Sequence, residues 1–456
     1  MQLINSQTRL YRLTKAIQDV LDRFGYQRLE TQILQPADLF LTKAGDQLIQ
    51  RLFTFDRFGR QFALRPEFTA SAAKAFGDFH LDTLRNMLPA RWQFAGPVFE
   101  DSLDSGHVFQ RYSVGAELIN WNSWLADAEI VALAVDGLDA AGCHRPQLTI
   151  GSVQLLRGVL DSFDLDSRTS QFLLDHLHEL ISGGVDHVLS LYDRLSRLQS
   201  STETVTSNDN AGVTALLEAG TGFAGRTRED ILRRLQRKSQ RAALRGQVVK
   251  ALEQLVQLQQ IDKPAAHALP QLHAILHNYQ TSARDALEQL EAQISLIQHY
   301  GTDLASVNVE PLMARDWNYY TGTVFELVTH SGQTVAGGGR YNELVRLLGG
   351  DDVPAVGMAF YVDRILGESA HEEVDEPAPT VLWADEAQAR AAAWWATRLR
   401  GDGHTVLVQT RNGAVLGRND VAIDADGALT IGSQAFTVNQ LSEVLELART
   451  GRLSHG

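Results

Sequence analysis

The spacing of apolar residues changes twice along the chain, and these changes constrain the fold more than any other feature of the sequence. After an amphipathic first helix, residues up to about 150 carry several stretches in which apolar and polar residues alternate, as in antiparallel strands. From about residue 151 to 300 the apolar residues recur at helical spacing, and strand patterns then return. The sequence therefore predicts an α+β fold with its core in residues 1–150 and 301–366, interrupted by a mainly helical insertion over 151–300.

Local patterns place individual elements within this plan. Apolar residues at three- to four-residue spacing predict a helix over about 6–24, and Gly25 is well placed to end it. Strand patterns then cover residues 31–34 before a turn at Gln35-Pro36, a hairpin turning at Phe58-Gly59, and residues 90–101, 111–120 and 307–330.

The last part of the chain differs in composition from the rest. Residues 367–380 are acidic and contain proline, which is typical of a linker. Strand and helix patterns alternate over 381–456 and predict a small α/β module. Seven arginines, no lysine and eight acidic residues make this module nearly neutral, which is unfavourable for binding a phosphate backbone.

Composition excludes several classes of protein. The net charge of −14 argues against a mainly electrostatic nucleic-acid binder. The single cysteine, Cys143, excludes an intramolecular disulfide framework and any multi-cysteine zinc or iron–sulfur site. We expect neither a metal nor a cofactor. The longest apolar runs fall far short of the ~18 residues that span a bilayer, so no membrane association is expected. These observations favour the cytoplasm.

Charged and aromatic groups collect at the ends of the predicted strands. They comprise two carboxylates, a hydroxyl, an arginine and two phenols: Glu67, Glu117, Thr69, Arg315, Tyr319 and Tyr320. Such a set suits a zwitterionic ligand, because carboxylates accept from an ammonium group and arginine donates to a carboxylate. Each group could equally form a rim salt bridge or pack in a core, and the chemistry alone does not decide between these interpretations.

Five blocks in the same order resemble those of histidyl-tRNA synthetase and its non-synthetase relatives. They are LRPEFTASAAKAF, FAGPVFEDSLDSGHVFQRYSVGAE, RDWNYYTGTVFE, AGGGRYNELVRLLGG and VPAVGMAFYVDRI. The resemblance implies the class II aminoacyl-tRNA synthetase fold, an antiparallel sheet flanked by helices. It also implies that residues 381–456 correspond to a degenerate anticodon-binding module.

The resemblance further implies a histidine pocket. Glu67, Thr69 and Glu117 match positions that hold the histidine ammonium group, and Arg315 matches the arginine that faces its carboxylate. Tyr319 and Tyr320 match the pair that faces the imidazole. Two positions depart from the family: Ser113 replaces a glutamine, and Phe68 replaces a glycine, which predicts a narrower cavity.

The nucleotide site departs from the family more strongly. Glu100 stands where a synthetase has the arginine that binds the ATP α-phosphate, and Ser102 replaces a glutamate. Arg364 is retained, but Tyr361 replaces a nearby glycine. Because a unit ion pair at ~4 Å is worth roughly 4 kcal/mol, replacing attraction with repulsion costs up to about 8 kcal/mol. The sequence therefore predicts a degenerate ATP site and no activation of histidine.

The chain combines a retained amino-acid pocket with a degenerate nucleotide site. In this it is similar to the regulatory subunits of ATP phosphoribosyltransferase, which are synthetase paralogues in histidine biosynthesis. That resemblance implies a short-form catalytic subunit as partner, a homodimer within a hetero-oligomer, feedback inhibition by histidine, no catalytic residues and no tRNA substrate. A divergent histidine–tRNA ligase and a histidine sensor for another partner stay open. The basic stretch 226–245 is either a solvated helix or a surface that faces tRNA or a partner.

Overall fold

The computed structural model describes most of the chain. Its described residues are 2–41, 49–78, 89–101, 109–196, 228–313, 319–368, 380–410, 420–431 and 433–450. The chain divides into two compact units, Met1–Ala370 and His371–Gly456. Each unit has its own hydrophobic core.

An eight-stranded sheet forms the centre of the first unit. The strands of this unit are β1 (Gln27–Arg28), β2 (Leu34–Pro36), β3 (Thr54–Arg57), β4 (Arg60–Leu64), β5 (Ala90–Phe99), β6 (Gln110–Ile119), β7 (Gln147–Ser152), β8 (Ser306–Val309), β9 (Thr323–Val328), β10 (Thr334–Arg340) and β11 (Ala355–Tyr361). The large sheet has the order β1-β5-β6-β11-β10-β9-β7-β8. Its neighbours are antiparallel except at the two edges, where β1 pairs with β5 and β7 with β8 in parallel. The predicted antiparallel sheet is confirmed, and the parallel edge pairs are an addition that the local patterns did not predict.

Helices cover the sheet and share its core. They are α1 (Gln2–Arg23), α2 (Asp38–Leu41), α3 (Thr69–Gly77), α4 (Trp124–Ala140), α5 (Val153–Leu160), α6 (Ser167–Asp175), α7 (Arg228–Gln259), α8 (Ala265–Leu276), α9 (Thr281–His299), α10 (Leu344–Leu347) and α11 (Val362–Glu368). Residues 177–196 are also helical. Leu252 of α7 and Leu287 of α9 belong to the same buried cluster as Ile150 of the sheet. The helices of residues 153–299 therefore bury their apolar faces against the central layer.

The short patterns near the start of the chain are mostly confirmed. Helix α1 ends at Arg23, and Gly25 takes the left-handed conformation with φ +83°. The hairpin of β3 and β4 turns at Phe58-Gly59, where φ is +52° and +73°. Two positive φ values in a two-residue turn match the right-handed twist of the strands that it joins.

Two strand predictions were wrong in their bounds. The strand predicted at 31–34 lies at Leu34–Pro36, because β2 pairs with β4 from Leu34↔Leu64 to Pro36↔Phe62. Proline is tolerated there since β2 is an edge strand of the three-stranded sheet β2-β4-β3. The long strand pattern of 307–330 is two strands, β8 and β9. The chain leaves the sheet after Val309, beside β7, and re-enters it on the other side of β7 at Thr323.

The second unit is a five-stranded sheet with helices. Its elements are β12 (Thr380–Ala384), α12 (Ala389–Gly401), β13 (Val406–Thr410), β14 (Val421–Ile423), β15 (Leu429–Ile431), β16 (Gln434–Phe436) and α13 (Leu441–Arg449), and the sheet order is β13-β12-β14-β15-β16. Trp395 of α12 is fully buried in its core. Residues 369–379, most of the predicted linker 367–380, lie outside the described residues. Within the described part of the chain, no helix is both long enough and apolar enough to cross a membrane.

A buried ion pair joins the central sheet to its helices. Arg340, at the end of β10, donates from Nε to Asp127 Oδ1 of α4 at 2.8 Å, and both side chains are less than a tenth exposed. Gln293 of α9 donates to the other Asp127 oxygen at 3.1 Å, and Thr323 of β9 donates to Gln293 at 2.5 Å. The remaining donors of Arg340 reach Asn342 and the carbonyl oxygens of Trp121 and Ser123. One network thus ties two strands to two helices.

Removing one partner of this ion pair should destabilise the first unit strongly. We expect Asp127→Asn to lower the free energy of unfolding by about 3 kcal/mol, because Arg340 keeps its charge in a buried site without an anion. Urea unfolding followed by circular dichroism measures the shift. Asp19→Asn is the control, since Asp19 pairs with Lys15 on an exposed helix face and should shift the curve far less. Equal shifts in the two variants would contradict the importance of the buried pair.

Candidate functional site

One face of the central sheet carries two of the polar residues that the sequence singled out, Ser113 and Glu117. Alternate residues of a strand point to the same face, so Arg111, Ser113 and Glu117 of β6 lie in one row. The intervening residues Val114 and Ala116 are buried in the main core on the opposite face. The row from Arg111 to Glu117 therefore lines the face of the sheet that is turned away from the main core.

A glycine makes room for the carboxylate of Glu117. Gly357 of β11 is paired with Glu117 across the ladder. A Cβ atom at position 357 would lie 1.6 Å from Glu117 Oε2. Any residue other than glycine at this position would therefore displace the carboxylate. Strand β11 thus contributes to the site by leaving space for the Glu117 carboxylate.

Two side chains and one backbone group donate hydrogen bonds to the two carboxylates. Thr69, the first residue of α3, donates to Glu117 Oε1 at 2.6 Å, and Tyr341 donates to Glu117 Oε2. Glu67 lies just before α3 and accepts from the backbone N–H of Ala70 at 2.9 Å. The start of α3 therefore holds Glu67 beside Thr69, which in turn touches Glu117.

Aromatic rings close the other side of this cluster. Tyr319 is buried, and its ring centroid lies 4.8 Å from that of Tyr320 and 5.7 Å from that of Tyr341. The turn that carries Tyr319 and Tyr320 is fixed to the sheet, because Thr321 N–H donates to the Arg340 carbonyl oxygen at 2.8 Å. The ion pair of Arg340 with Asp127 therefore also positions the tyrosines.

The two carboxyl groups keep their protons at a much higher pH than a glutamate exposed to water does. Burial raises the pKa of Glu67 to about 7, although hydrogen bonds from Ala70 and Thr69 oppose the shift. Burial, with a smaller contribution from the charge of Glu67, raises the pKa of Glu117 to about 8 against the hydrogen bonds from Thr69 and Tyr341. Burial also raises the pKa of Tyr319 and of Tyr341 well above the ordinary value. A cationic group entering the site would take the place of these protons.

The structure brings together most of the predicted pocket residues. Glu67, Thr69, Glu117, Tyr319 and Tyr320 lie in the cluster, and Ser113 is buried opposite Gly96 and Tyr361 in the ladder. Arg315 and Ser102 lie outside the described residues. The sequence interpretation missed Tyr341, although this residue lies in the glycine-bearing block AGGGRYNELVRLLGG, two positions after the last glycine of its run.

The surroundings of Glu100 differ from the prediction. The estimate of repulsion assumed a carboxylate without a partner, but Glu100 Oε1 lies 3.1 Å from Arg51 Nη1 and Oε2 lies 3.9 Å from Arg111 Nη1. The three groups together carry a net charge of +1. The full estimated repulsion therefore does not apply. The sequence could not indicate this arrangement, because Arg51 lies far away in the chain.

Arg364 and Phe68 are both engaged in contacts within the chain. Arg364 donates to the Thr334 carbonyl oxygen at 2.9 Å, and its guanidinium lies 4.6 Å from the ring centroid of Tyr361. Phe68 is buried and stacks on Phe94 at 4.5 Å between centroids. The Arg65 guanidinium lies 4.1 Å from the centroid of the same ring, so Phe68 contacts both Phe94 and Arg65.

Comparison with known proteins places this arrangement in a family. The sequence profile described as Histidyl-tRNA synthetase matches residues 3–210 and 189–365. The chain belongs to the histidyl-tRNA synthetase family. A family member from Rhizobium leguminosarum bv. trifolii, named ATP phosphoribosyltransferase regulatory subunit, is 30% identical over 391 residues, which cover 79% of this chain and 99% of the relative.

Other relatives in the histidyl-tRNA synthetase family have a different name or a solved structure. A histidine–tRNA ligase from Methanocaldococcus jannaschii is 26% identical over 370 residues, which cover 80% of this chain and 73% of the ligase. The crystal structure of an ATP phosphoribosyltransferase regulatory subunit/histidyl-tRNA synthetase from Bacillus halodurans C superimposes with a TM-score of 0.62, at 19% identity and 90% coverage of each chain. The predicted class II aminoacyl-tRNA synthetase-like fold is confirmed.

The raised pKa values make the stability of this family member depend on pH. Both carboxyls start from an ordinary value of 4.5, so the folded chain binds more protons than the unfolded chain between about pH 4.5 and about pH 8. The free energy of unfolding should therefore fall as the pH rises through this window. Glu117→Gln should reduce the fall by on the order of a few kcal/mol, since one pKa unit corresponds to about 1.4 kcal/mol.

Urea unfolding from about pH 5 to about pH 9 measures this dependence. Glu253→Gln is the matched control, because Glu253 is an exposed carboxyl on α7 and its replacement should keep the wild-type slope. An unchanged slope in Glu117→Gln would show that the buried carboxyl is not protonated as described.

Proposed function

We propose that this chain is a regulatory subunit of ATP phosphoribosyltransferase. In this role it is required for the activity of a short-form catalytic subunit and for feedback inhibition by histidine, at the first step of histidine biosynthesis. The observation that carries the proposal is the match to relatives of that name, which extends over 99% of the length of the Rhizobium leguminosarum bv. trifolii protein at 30% identity. The same name recurs among further relatives at similar identity.

The proposed subunit has no aminoacylation activity of its own, and tRNA is not its substrate. The contacts around the former nucleotide site support this part. Glu100 stands at the position of the phosphate-binding arginine, and Arg364 donates to a backbone carbonyl and stacks on Tyr361. Phosphoryl and adenylyl transfer depend on cations placed against the negative charge that develops in the transition state. The loss of one arginine to Glu100 and the engagement of Arg364 in contacts within the chain therefore remove the main source of catalysis.

The retained pocket is the proposed site for histidine. Glu67, Thr69 and Glu117 would hold the ammonium group, Arg315 the carboxylate, and Tyr319 and Tyr320 the imidazole, with Ser113 in place of the usual glutamine. The cluster of two carboxylates around Thr69 supports the ammonium site, because a cation bound there replaces the protons that the carboxylates otherwise hold. Histidine then acts by binding two states of the complex unequally, a coupling that is typically ~1–3 kcal/mol.

The proposed assembly is a homodimer of this chain within a hetero-oligomer with the catalytic subunit. Such a biosynthetic complex would work in the cytoplasm, as the sequence predicts.

The basic stretch 226–245 ends at Arg245 of α7, whose side chain the structure describes. Arg245 pairs with Asp193 of the same unit at 3.1 Å. This contact favours the solvated-helix interpretation for the end of the basic stretch 226–245.

Reconstitution tests the function directly. We expect the short-form catalytic subunit from the same source to transfer the phosphoribosyl group of phosphoribosyl pyrophosphate to ATP, with release of that donor's pyrophosphate, only when this chain is added. Histidine should inhibit the mixture. The isolated chain should show no histidine-dependent exchange of pyrophosphate into ATP. A clear exchange rate would identify a divergent histidine–tRNA ligase. Co-purification with another protein and no activation of the transferase would identify a histidine sensor for that partner.

Replacing Glu67 tests the proposed ligand site. Glu67→Ala should weaken histidine binding by about tenfold or more in calorimetry, because it removes a charged acceptor for the ammonium group, and such contacts contribute about 1.5–3 kcal/mol. Glu253→Ala, on an exposed face of α7, is the matched control and should leave the affinity unchanged. Wild-type affinity in Glu67→Ala would place the histidine site elsewhere, for example at a subunit interface.

A further inference from the structure

Two arginines from distant parts of the chain converge on one carboxylate beside the sheet. Glu100 follows β5, and its N–H donates to the Phe109 carbonyl oxygen at 3.1 Å, which continues the β5–β6 ladder. This pairing makes Glu100 a diagonal neighbour of Arg111 on the same face. Arg51 approaches from the segment before β3, and its carbonyl oxygen accepts from Asp101 N–H at 2.8 Å.

The arrangement has the chemistry of an oxyanion site. Guanidinium groups are the preferred side-chain donors to carboxylate and phosphate oxygens. Arg51 and Arg111 each lie against a different oxygen of Glu100, at 3.1 Å and 3.9 Å. The side chains of Arg51, Arg111 and Glu100 are 36%, 33% and 25% exposed, so a dissolved anion can approach the two guanidiniums from solvent.

This cluster lies on the same face of the sheet as the polar row of β6. Arg111 is two residues before Ser113 and lies on the same face, which corresponds to a separation of about 7 Å along the strand. Glu117 lies further along the same row. The cluster is therefore at the other end of the polar row that begins at the two pocket carboxylates.

We propose that Arg51 and Arg111 form an anion-binding site at this end of the polar row and that Glu100 occupies it as an internal anion, which keeps the phosphates of a nucleotide out. In this view the two arginines can bind phosphate, and their occupation by Glu100 blocks the site. A tethered carboxylate acts at an effective concentration of about millimolar or more, so a free polyphosphate competes poorly against it. The inference goes beyond the proposed function and does not depend on it, because its readout is anion binding by this chain alone.

A purely structural role for Glu100 makes a different prediction. If the carboxylate only holds the segment of Arg51 against the β5–β6 hairpin, its removal loosens that segment and creates no affinity for anions. If Glu100 is an internal ligand, its removal leaves two unopposed guanidiniums that bind the next available anion.

Calorimetry of the full-length chain with inorganic pyrophosphate at low salt tests the inference. We expect Glu100→Gln and Glu100→Ala to bind pyrophosphate at least tenfold more tightly than the wild-type chain, and Glu100→Gln/Arg111→Gln to lose the gain. Asp101→Asn is the matched control. It removes the same charge one residue away, while the contact of Asp101 with Arg51 runs through its backbone N–H.

The outcomes separate the two interpretations. A gain in both Glu100 variants that depends on Arg111 and is absent in Asp101→Asn supports the inference. An equal gain in Asp101→Asn would overturn it, because the effect would then follow from net charge alone. The absence of a gain in both Glu100 variants, with thermal melting curves like that of the wild-type chain, would overturn it as well and leave the structural role.

Discussion

The ion pair of Arg340 with Asp127 is the interaction on which the geometry of the site depends. Arg340 is the last residue of β10, and its guanidinium donates to Asp127 of α4. Its carbonyl oxygen accepts from Thr321 N–H, in the turn that carries Tyr319 and Tyr320. The next residue, Tyr341, reaches Glu117 on β6. A charge pair inside the core contributes little net stability once its desolvation is counted, but it admits few alternative arrangements. Its effect here is to fix the turn and Tyr341 relative to β6.

The polar row on the sheet has two ends with opposite electrostatic character. At one end Glu117 is fully buried and Glu67 is partly buried close to it, and both carboxyls retain protons near neutral pH. At the other end Arg51 and Arg111 surround a single carboxylate. A zwitterionic amino acid matches the first end, and a phosphate matches the second when Glu100 is absent. In the proposed function the chain keeps the first recognition, and Glu100, as the internal anion that we propose, blocks the second.

The sequence predicted those features that are encoded locally. The Phe58-Gly59 hairpin and the strands β5 and β6 follow from alternation and turn residues, and the fold class follows from five ordered blocks. The sequence failed where a feature depends on contacts between distant segments. The pairing of Glu100 with Arg51 and the hydrogen bond from Tyr341 to Glu117 join segments that are far apart in the chain. Pro36 fits in a strand only because β2 lies at a sheet edge. Composition and periodicity contain no information about these neighbours.

The order of strands in the central sheet also has a consequence for how the molecule is made. Strand β11 lies between β6 and β10, and Tyr341 and Glu117 are 224 residues apart in the chain. During synthesis the edge of β6 that pairs with β11 therefore stays unpaired until nearly the whole first unit has left the ribosome. Contacts between such distant segments slow folding, and an open strand edge invites pairing with other chains. The cluster of Thr69, Glu117 and Tyr341 is thus among the last parts that can form, because Tyr341 comes late in the chain.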